Sequence, residues 1–350
     1  RTLAATRMFN KLFRTRHALI DLRAGGAESN GLSVGGLIAR AKFLLLSPVK
    51  AELVGGLLEA TSVPRDEKPK VVIERLTREK EILGSQRRDP RGTKLTEDKN
   101  FVLVQAFKQL GETPSSLLRP PRPKGSEPAI SFEIVFKGEH VMGDAGPYRQ
   151  FFADISAELQ PMPGLTTPAS AGLGLLVPSP NRLTDSGDSK DKFVINPACT
   201  APHHLALYQF VGRLMGCALR TKTYLTIDLP SMFWKKITGQ PIEESDIEEV
   251  DKALLDLVRY VRDAPAEAFD EIIFETFCVY LSDRSRVELV PGGSDIRVSA
   301  ANKDEFVKKV LEVRLNESQP QIEAIKRGIF EIVPQSILGI FVWSGLQPSA

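Results

Sequence analysis

An apolar helix that carries two glycines one turn apart sets the strongest limit on how this chain can fold. Apolar residues recur at steps of three and four along "HLALYQFVGRLMGCALR", which indicates a buried helix face. Gly212 and Gly216 each weaken such a helix by roughly 1 kcal/mol. Their positions predict that a neighbouring backbone approaches closely here, because glycine alone leaves room for it.

Cys217 lies beside these glycines and raises the question of a reactive thiol. Reactive thiols are found at helix N-termini or beside a base, and Cys217 is in the middle of its helix. Free cysteine is also among the residue types most often buried. We therefore expect Cys217 to fill space in a tight contact.

The bulk composition excludes several classes of protein. A net charge of +2 on 350 residues disfavours a dedicated nucleic-acid binder. The longest apolar runs are too short to cross a membrane. Three cysteines do not make a disulfide framework, so a reducing, cytoplasmic location is expected. The chain begins with Arg1 rather than Met, which favours a fragment or a processed product.

Residues 1–68 are interpreted as a basic, helical N-terminal extension. Residues 1–24 carry six basic side chains and one acid with apolar residues at helical spacing. This pattern fits a basic surface helix within a longer parent chain, or a transit peptide. The glycine pairs at 25–26, 35–36 and 55–56 are expected to break the extension into short helices.

The middle of the chain predicts a helix, a strand and a long loop. Thr96 is a candidate N-cap and Gly111 a stop for a helix through "NFVLVQAFKQL". The alternation in "AISFEIVFKGE" predicts a half-buried strand. The proline-, glycine- and serine-rich residues 161–191 predict a long loop.

The stretch "CTAPHH" is the one grouping that suggests a metal site. Zinc takes four ligands, and the adjacent His203 and His204 would point about 100° apart on a helix, so only one of them could join Cys199. We therefore predict no metal site and no cofactor, and interpret these residues as structural.

Residues 243–288 form an acidic segment with fourteen acids, five bases and a net charge of −9. Its helix is expected to open with a capping box of Ser245 and Glu248 and to carry one apolar stripe. A strand–turn–strand around Pro291 and a helix that begins at Asn302 follow. The segment is either a solvated acidic face or a module that meets a basic partner.

The order of motifs resembles the HECT domain of HECT-type E3 ubiquitin ligases over residues 69–343, in the manner of the large HERC-type members. The matching stretches, in order, are "FEIVFKGEHVMGDAG", "YRQFF", "NPACTAPHHLALYQFVGRLMGCAL", "LPSMFWKKITG", "DIEEVD", "ELVPGGSDIRV", "NKDEFVKKVLEVRL" and "IEAIKRGIFEIVP". The resemblance implies a predominantly helical α+β N-lobe. Its parts would be a large subdomain (69–242 and 302–343), a small E2-docking subdomain (243–301) and a hinge or truncated tail (344–350).

The resemblance also implies chemistry and partners. In this family, ubiquitin passes from an E2 enzyme to a ligase cysteine and then to a substrate lysine. That cysteine lies in a second lobe, and neither Cys199, Cys217 nor Cys278 matches its surroundings, so no catalytic residue is assigned. The expected partners are an E2, ubiquitin and a substrate protein that the sequence does not identify. The alternatives are a HECT remnant that recruits or competes for an E2, and an organellar helical protein.

The resemblance carries over one binding site. In the family, the helix after the "VD" pair contributes to a hydrophobic groove for a loop of the E2. The matching positions here are Leu254, Leu257 and Val258, joined by Ile272 and Phe274. Each of the five could equally be an ordinary core residue, because such side chains are usually buried.

Two places depart from the family's pattern. The turn in "GDAGPYR" is one residue shorter than usual between Asp144 and Arg149, which would re-aim Arg149. The ending "WSGLQPSA" lacks the acidic pair that usually leads into the second lobe. We assign structural roles to four residues of the matching motifs: Asp144, Arg149, Gly212 and Gly216.

Overall fold

The computed structural model describes residues 2–16, 41–75, 101–123, 129–139, 143–160 and 173–340. Helices dominate these ranges, and the strands pair into small two-stranded sheets, so the predominantly helical α+β class is confirmed. The helices are α1 (Thr2–Arg16), α2 (Ser47–Ala60), α3 (Val102–Leu110), α4 (Ala145–Leu159), α5 (Pro180–Thr184), α6 (Pro202–Thr221), α7 (Ser231–Thr238), α8 (Glu244–Val250), α9 (Lys252–Asp263), α10 (Phe269–Ile272), α11 (Lys303–Asn316) and α12 (Gln319–Ile332). The strands are β1 (Lys70–Ile73), β2 (Glu133–Phe136), β3 (Leu176–Pro178), β4 (Phe193–Ile195), β5 (Cys278–Tyr280) and β6 (Arg286–Glu288).

The glycines of α6 lie where α12 crosses it. A Cβ on Gly212 would overlap the carbonyl oxygen of Ile325, and one on Gly328 of α12 would overlap the carbonyl oxygen of Gln209. A Cβ on Gly216 would lie 2.6 Å from the Cβ of Ile332. The predicted close approach is confirmed, and the approaching backbone belongs to α12.

This crossing lies in the larger of two main hydrophobic cores. The large core gathers buried side chains from β1, β2, α3, α4, α6, α7 and α12. Strands β1 and β2 pair in parallel, with Val71 opposite Ile134 and Ile73 opposite Phe136. The half-buried strand predicted around 130–136 is confirmed, since its alternate apolar residues all face this core.

The beginning of α3 differs from the prediction. The helix begins at Val102 after Phe101 in an extended conformation, and the proposed cap Thr96 lies outside the described residues. The buried carboxylate of Glu158 on α4 accepts from the backbone N–H groups of Val102 (2.7 Å) and Leu103 (2.9 Å). A distant side chain thus satisfies the free N–H groups that a local cap would have taken. The predicted stop at Gly111 is confirmed.

Two predicted interruptions were also wrong. Helix α2 runs through Gly55 and Gly56 without a break, while the earlier glycine pairs lie outside the described residues. Of the predicted loop at 161–191, residues 161–172 lie outside the described ranges, and in the remainder strand β3 pairs with β4 and α5 follows. Leu173, Leu175 and Leu176 are buried there, so apolar burial outweighs the loop-forming composition around them.

The small core takes its buried side chains from 247–310, including α9, β5 and the first half of α11. The predicted continuous helix is instead two helices, because Asp251 is extended (φ −148°) between α8 and α9. The capping box of α8 is formed by Glu243 and Asp246 rather than by Ser245 and Glu248. Asn302 is the N-cap residue of α11, as predicted, but its side chain accepts from the N–H of Ser299 instead.

The predicted strand–turn–strand around Pro291 is wrong in its pairing. Strand β6 pairs antiparallel with the upstream β5, with Val287 opposite Val279. Beyond the turn, Arg297 forms an isolated bridge with Thr276. The two arms of the turn, β6 and the segment around Arg297, therefore both pair with residues 276–280, which lie between them.

Helix α1 packs on α2 through Phe13 and Leu53, which form a small separate cluster with Leu45. In the part of the chain that is described, no helix has the length and apolar character needed to span a membrane.

Candidate partner-docking groove

A cavity of about 440 Å³ opens against the small core, where α5, α9, β5 and α11 meet. We call it the groove. Its apolar walls include Leu183 of α5, Leu254 and Leu257 of α9, and Phe306 and Val310 of α11. These side chains come from helices far apart in sequence, so the groove exists only when the small core is assembled.

The base of the groove is a buried ionic network centred on Arg314 of α11. Its guanidinium donates to Asp251 Oδ2 (2.6 Å), Glu317 Oε1 (2.8 Å) and the hydroxyl of Ser282 (2.6 Å). It also donates to the carbonyl oxygen of Tyr280 (3.0 Å). A buried charge is tolerated only when it is paired and hydrogen-bonded, and Arg314 is both. The network ties α11 to β5 and to the start of α9.

Asp251 also caps α9. Its Oδ1 accepts from the backbone N–H of Leu254 (3.0 Å), while its other oxygen binds Arg314. Because Leu254 and Leu257 lie in the first two turns of α9, the same carboxylate fixes the helix end that carries them into the groove. The break between α8 and α9 at Asp251 therefore positions the leucines of the groove wall.

The α5 wall is held by Asn181, which is fully buried. Its side-chain amide donates to the carbonyl oxygens of Glu248 (2.9 Å) and Glu249 (3.0 Å). Its oxygen accepts from the backbone N–H of Lys252 (2.7 Å). One amide thus joins α5 to the junction of α8 and α9, and keeps Leu183 on the far side of the groove.

A second ion pair anchors α8 on α7. Asp246 accepts from the Lys235 ammonium (2.7 Å), the Ser231 hydroxyl (2.7 Å) and the backbone N–H of Glu243 (2.8 Å). Burial disfavours the charged carboxylate, but these hydrogen bonds outweigh it and hold the pKa of Asp246 below its ordinary value.

The five residues matched to the family's groove are not all in one place. Leu254 and Leu257 line the groove, and Leu257 is half-buried. Val258 is fully buried in the small core, and Ile272 packs half-buried against it. Phe274 is 73% exposed, with the Arg297 guanidinium 5.2 Å from its ring centre.

Sequence reasoning missed most of the groove lining, including Phe306, Arg314 and Leu183. The first two lie in "NKDEFVKKVLEVRL", which had been assigned to the large subdomain. An arginine within an otherwise apolar helix face was the available signal for Arg314, because such a residue needs a buried partner.

The cysteines differ in exposure, since Cys278 is half-buried and lines the groove. Cys199 and Cys217 are fully buried, and burial raises the pKa of the Cys217 thiol to about 11. His203 and His204 stack with ring centres 3.8 Å apart. Within the described ranges, no group of three or more His, Cys, Asp or Glu side chains is placed to hold a metal ion.

Asp144 and Arg149 lie at the beginning of α4. Asp144 is the N-cap residue and lies 3.5 Å from the Lys68 ammonium, and Arg149 is exposed in the second turn. Neither residue is among those that line the groove.

Comparison with known proteins agrees with the resemblance in the motifs. Residues 169–349, more than half of the chain, match the model of the HECT-domain (ubiquitin-transferase) family. The E3 ubiquitin-protein ligase HERC2 of Mus musculus is 28% identical over 341 residues, which is 97% of this chain and 6% of that protein. The probable E3 ubiquitin-protein ligase HECTD4 of Homo sapiens is 27% identical, over 91% of this chain and 8% of that protein. The chain thus spans less than a tenth of the length of these curated relatives. It belongs to the HECT-domain family of ubiquitin transferases.

Proposed function

We propose that this chain docks a ubiquitin-loaded E2 enzyme through the groove, as the N-lobe of a HECT-type ubiquitin ligase. The observation that carries the proposal is the groove itself, with apolar walls on α9 and α11 held by the ionic network of Arg314. Family membership supplies the partner class, because HECT ligases work with E2 enzymes and ubiquitin.

The groove suits an apolar side chain at the tip of a partner's loop. Its walls are leucine, phenylalanine and valine side chains, and burying one apolar side chain contributes roughly 1.5–3 kcal/mol. Leu257 is the wall residue we assign to direct contact, since it is half-buried and faces the cavity. Leu254 lines the same wall, Val258 is buried in the small core, and the exposed Phe274 directly precedes the groove residue Glu275.

The transfer chemistry needs a thiolate that attacks the E2 thioester carbonyl and expels the E2 thiolate. Cys199 and Cys217 are fully buried, and we assign neither to this step. The role proposed for the chain is to hold the E2, with its thioester, for an acceptor thiolate. Ubiquitin arrives on the E2 as the thioester, and the substrate protein meets the complex after docking.

The negative charge of the acidic segment supports fast association with a basic E2 surface. A net charge of −9 over residues 243–288 attracts a basic partner over a distance of about 8–10 Å at ordinary ionic strength. We therefore expect the association rate to fall as salt is added, while the apolar contact in the groove changes little.

The deciding experiment is an NMR titration of the chain with a panel of E2 enzymes, comparing the parent with Leu257→Ala. We expect about a tenfold weaker affinity, equal to about 1.4 kcal/mol, because the wall loses its partly exposed side chain. Leu117→Ala is the matched control, since Leu117 is 37% exposed and lies outside the groove. The proposal fails if Leu257→Ala binds every E2 like the parent while its thermal unfolding is unchanged.

A further inference from the structure

The mouth of the groove is basic although the surrounding segment is strongly acidic. Arg284 and Arg286 line the groove and are exposed. Among the described residues neither guanidinium forms an ion pair within 4 Å, and that of Arg286 donates to the hydroxyl of Thr276 (3.2 Å). Two exposed cations therefore stand at the entrance with their charge available to a partner.

The nearby acids are occupied by other groups. Asp283 Oδ1 accepts from the backbone N–H (3.0 Å) and the hydroxyl (2.6 Å) of Ser285. Glu288 accepts from the backbone N–H groups of Gly292 (3.0 Å) and Ser294 (3.2 Å). These carboxylates satisfy the turns that carry them. The hydrogen bonds from Ser294, together with a weaker electrostatic interaction with Arg286, hold the pKa of Glu288 below its ordinary value. Arg284 is therefore the less compensated of the two arginines.

Arg284 is held at the mouth by an unusual backbone conformation. It lies in the turn between β5 and β6 with φ at +66°, a left-handed conformation that residues other than glycine rarely adopt. The turn is closed by the N–H of Leu281 donating to the carbonyl oxygen of Ser285 (2.9 Å). The guanidinium of Arg284 reaches 3.5 Å from the carbonyl oxygen of Leu183 on α5, so it extends across the entrance.

The other charged residues of the groove leave the entrance positive. Asp251 and Glu317 both pair with Arg314 at the base. Glu275 is the remaining acid that lines the groove, against the two arginines. The entrance therefore carries two arginines against the single lining carboxylate of Glu275, whereas residues 243–288 as a whole carry a net charge of −9.

We infer that the groove selects a docking loop whose apolar tip is flanked by a carboxylate. This inference rests on the function proposed above and adds a specificity determinant to it. The acidic surface attracts a basic E2 from a distance, whereas Arg284 and Arg286 act at contact range. A guanidinium binds a carboxylate through two parallel hydrogen bonds. The arginines therefore select for the position of the acid beside the tip as well as for its charge.

The test uses two cyclic peptides, each with one phenylalanine, flanked by two aspartates in one peptide and by two lysines in the other. Their affinities for the chain are measured by NMR titration. We expect the aspartate peptide to bind about fivefold tighter, as partly exposed charge-assisted hydrogen bonds allow. The double variant with Arg284→Ala and Arg286→Ala should lose this preference. Lys308→Ala, an exposed cation on α11 outside the groove lining, should keep it.

The outcomes separate the two proposals. Equal binding of both peptides, or tighter binding of the lysine peptide, overturns the charge selectivity while E2 docking stands. The same holds if neither peptide shifts a groove resonance but E2 binding still depends on Leu257. If E2 binding is also indifferent to Leu257→Ala, docking and selectivity fail together.

Discussion

The crossing of α6 and α12 in the large core and the groove beside the small core are built on opposite principles. At the crossing, glycines remove side chains so that two backbones touch, as at Gly212 against Ile325. At the groove, the elements stand apart, and buried polar groups such as Arg314 and Asn181 span between them.

The difference shows how one chain keeps a rigid body and a partly open surface. Apolar packing fills whatever space the walls leave, so packing alone would close a cavity of this size. Directional bonds from Asn181 and Arg314 fix distances between helices without filling the space between them. The crossing therefore leaves no volume for a partner, whereas the groove retains it.

The largest effect should come from removing the charge at the base of the groove. Arg314→Met leaves Asp251 and Glu317 buried without their partner, and we expect a loss of about 3–5 kcal/mol in the free energy of unfolding. Urea unfolding followed by circular dichroism measures it. Lys308→Met, at a side chain that is 76% exposed, is the control and should cost less than about 0.5 kcal/mol. A loss below about 1 kcal/mol for Arg314→Met would mean that packing, not the ionic network, holds the groove.

Overfilling the crossing should have the next largest effect. In Gly216→Leu, the new side chain meets Ile332, and we expect a loss of about 3 kcal/mol because neither helix can retreat from the shared core. Differential scanning calorimetry measures the change. Gly56→Ala is the matched control, since a Cβ there meets nothing within 4 Å and α2 should gain up to about 1 kcal/mol. Unchanged melting of Gly216→Leu would show that the crossing has spare room.

The smallest effect should appear at the α7–α8 contact as a dependence on pH. The folded-state pKa of Asp246 is depressed, so its stabilisation is present above the unfolded pKa and is lost as pH falls through the folded pKa. Asp246→Asn should therefore cost about 1–2 kcal/mol at neutral pH, and this cost should vanish in acid well below the ordinary pKa of an aspartate. Urea unfolding at a series of pH values measures it. Asp295→Asn, at an exposed side chain far from α7 and α8 in sequence, is the control and should leave the profile unchanged. A cost for Asp246→Asn that is independent of pH would show that charge is not what anchors α8.

The two regions also differed in how far they could be predicted. Gly212 and Gly216 were recognised because they interrupt a periodic apolar helix. Gly328, their counterpart on α12, was missed because its approach to Gln209 depends on the crossing. The cap of α3 was missed for a similar reason. The accepting carboxylate, Glu158, lies 56 residues after Val102, so no pattern around "NFVLVQ" indicates it.

In the acidic segment, the sequence predicted the apolar stripe but not the division of its helix into α8 and α9. Asp251 resembles any acid on a solvated face until Arg314 is seen beside it. The family resemblance pointed to Leu254 and Leu257, yet it treated Val258 and Phe274 as their equals, although one is fully buried and the other is largely exposed. Whether those positions touch an E2 stays a prediction.

The sequence alone determined which faces are apolar, where glycine permits contact, how charge is distributed, and which family the motifs resemble. These properties are written in residue type and short-range spacing, because helix and strand periods repeat within a few residues. The tertiary structure alone decided which side of α9 is covered, which distant acids pair with Arg314, and that two arginines stand at the entrance of a groove. Those outcomes depend on segments that meet only after folding, and an apolar stripe carries no mark of which part of it a neighbour will cover.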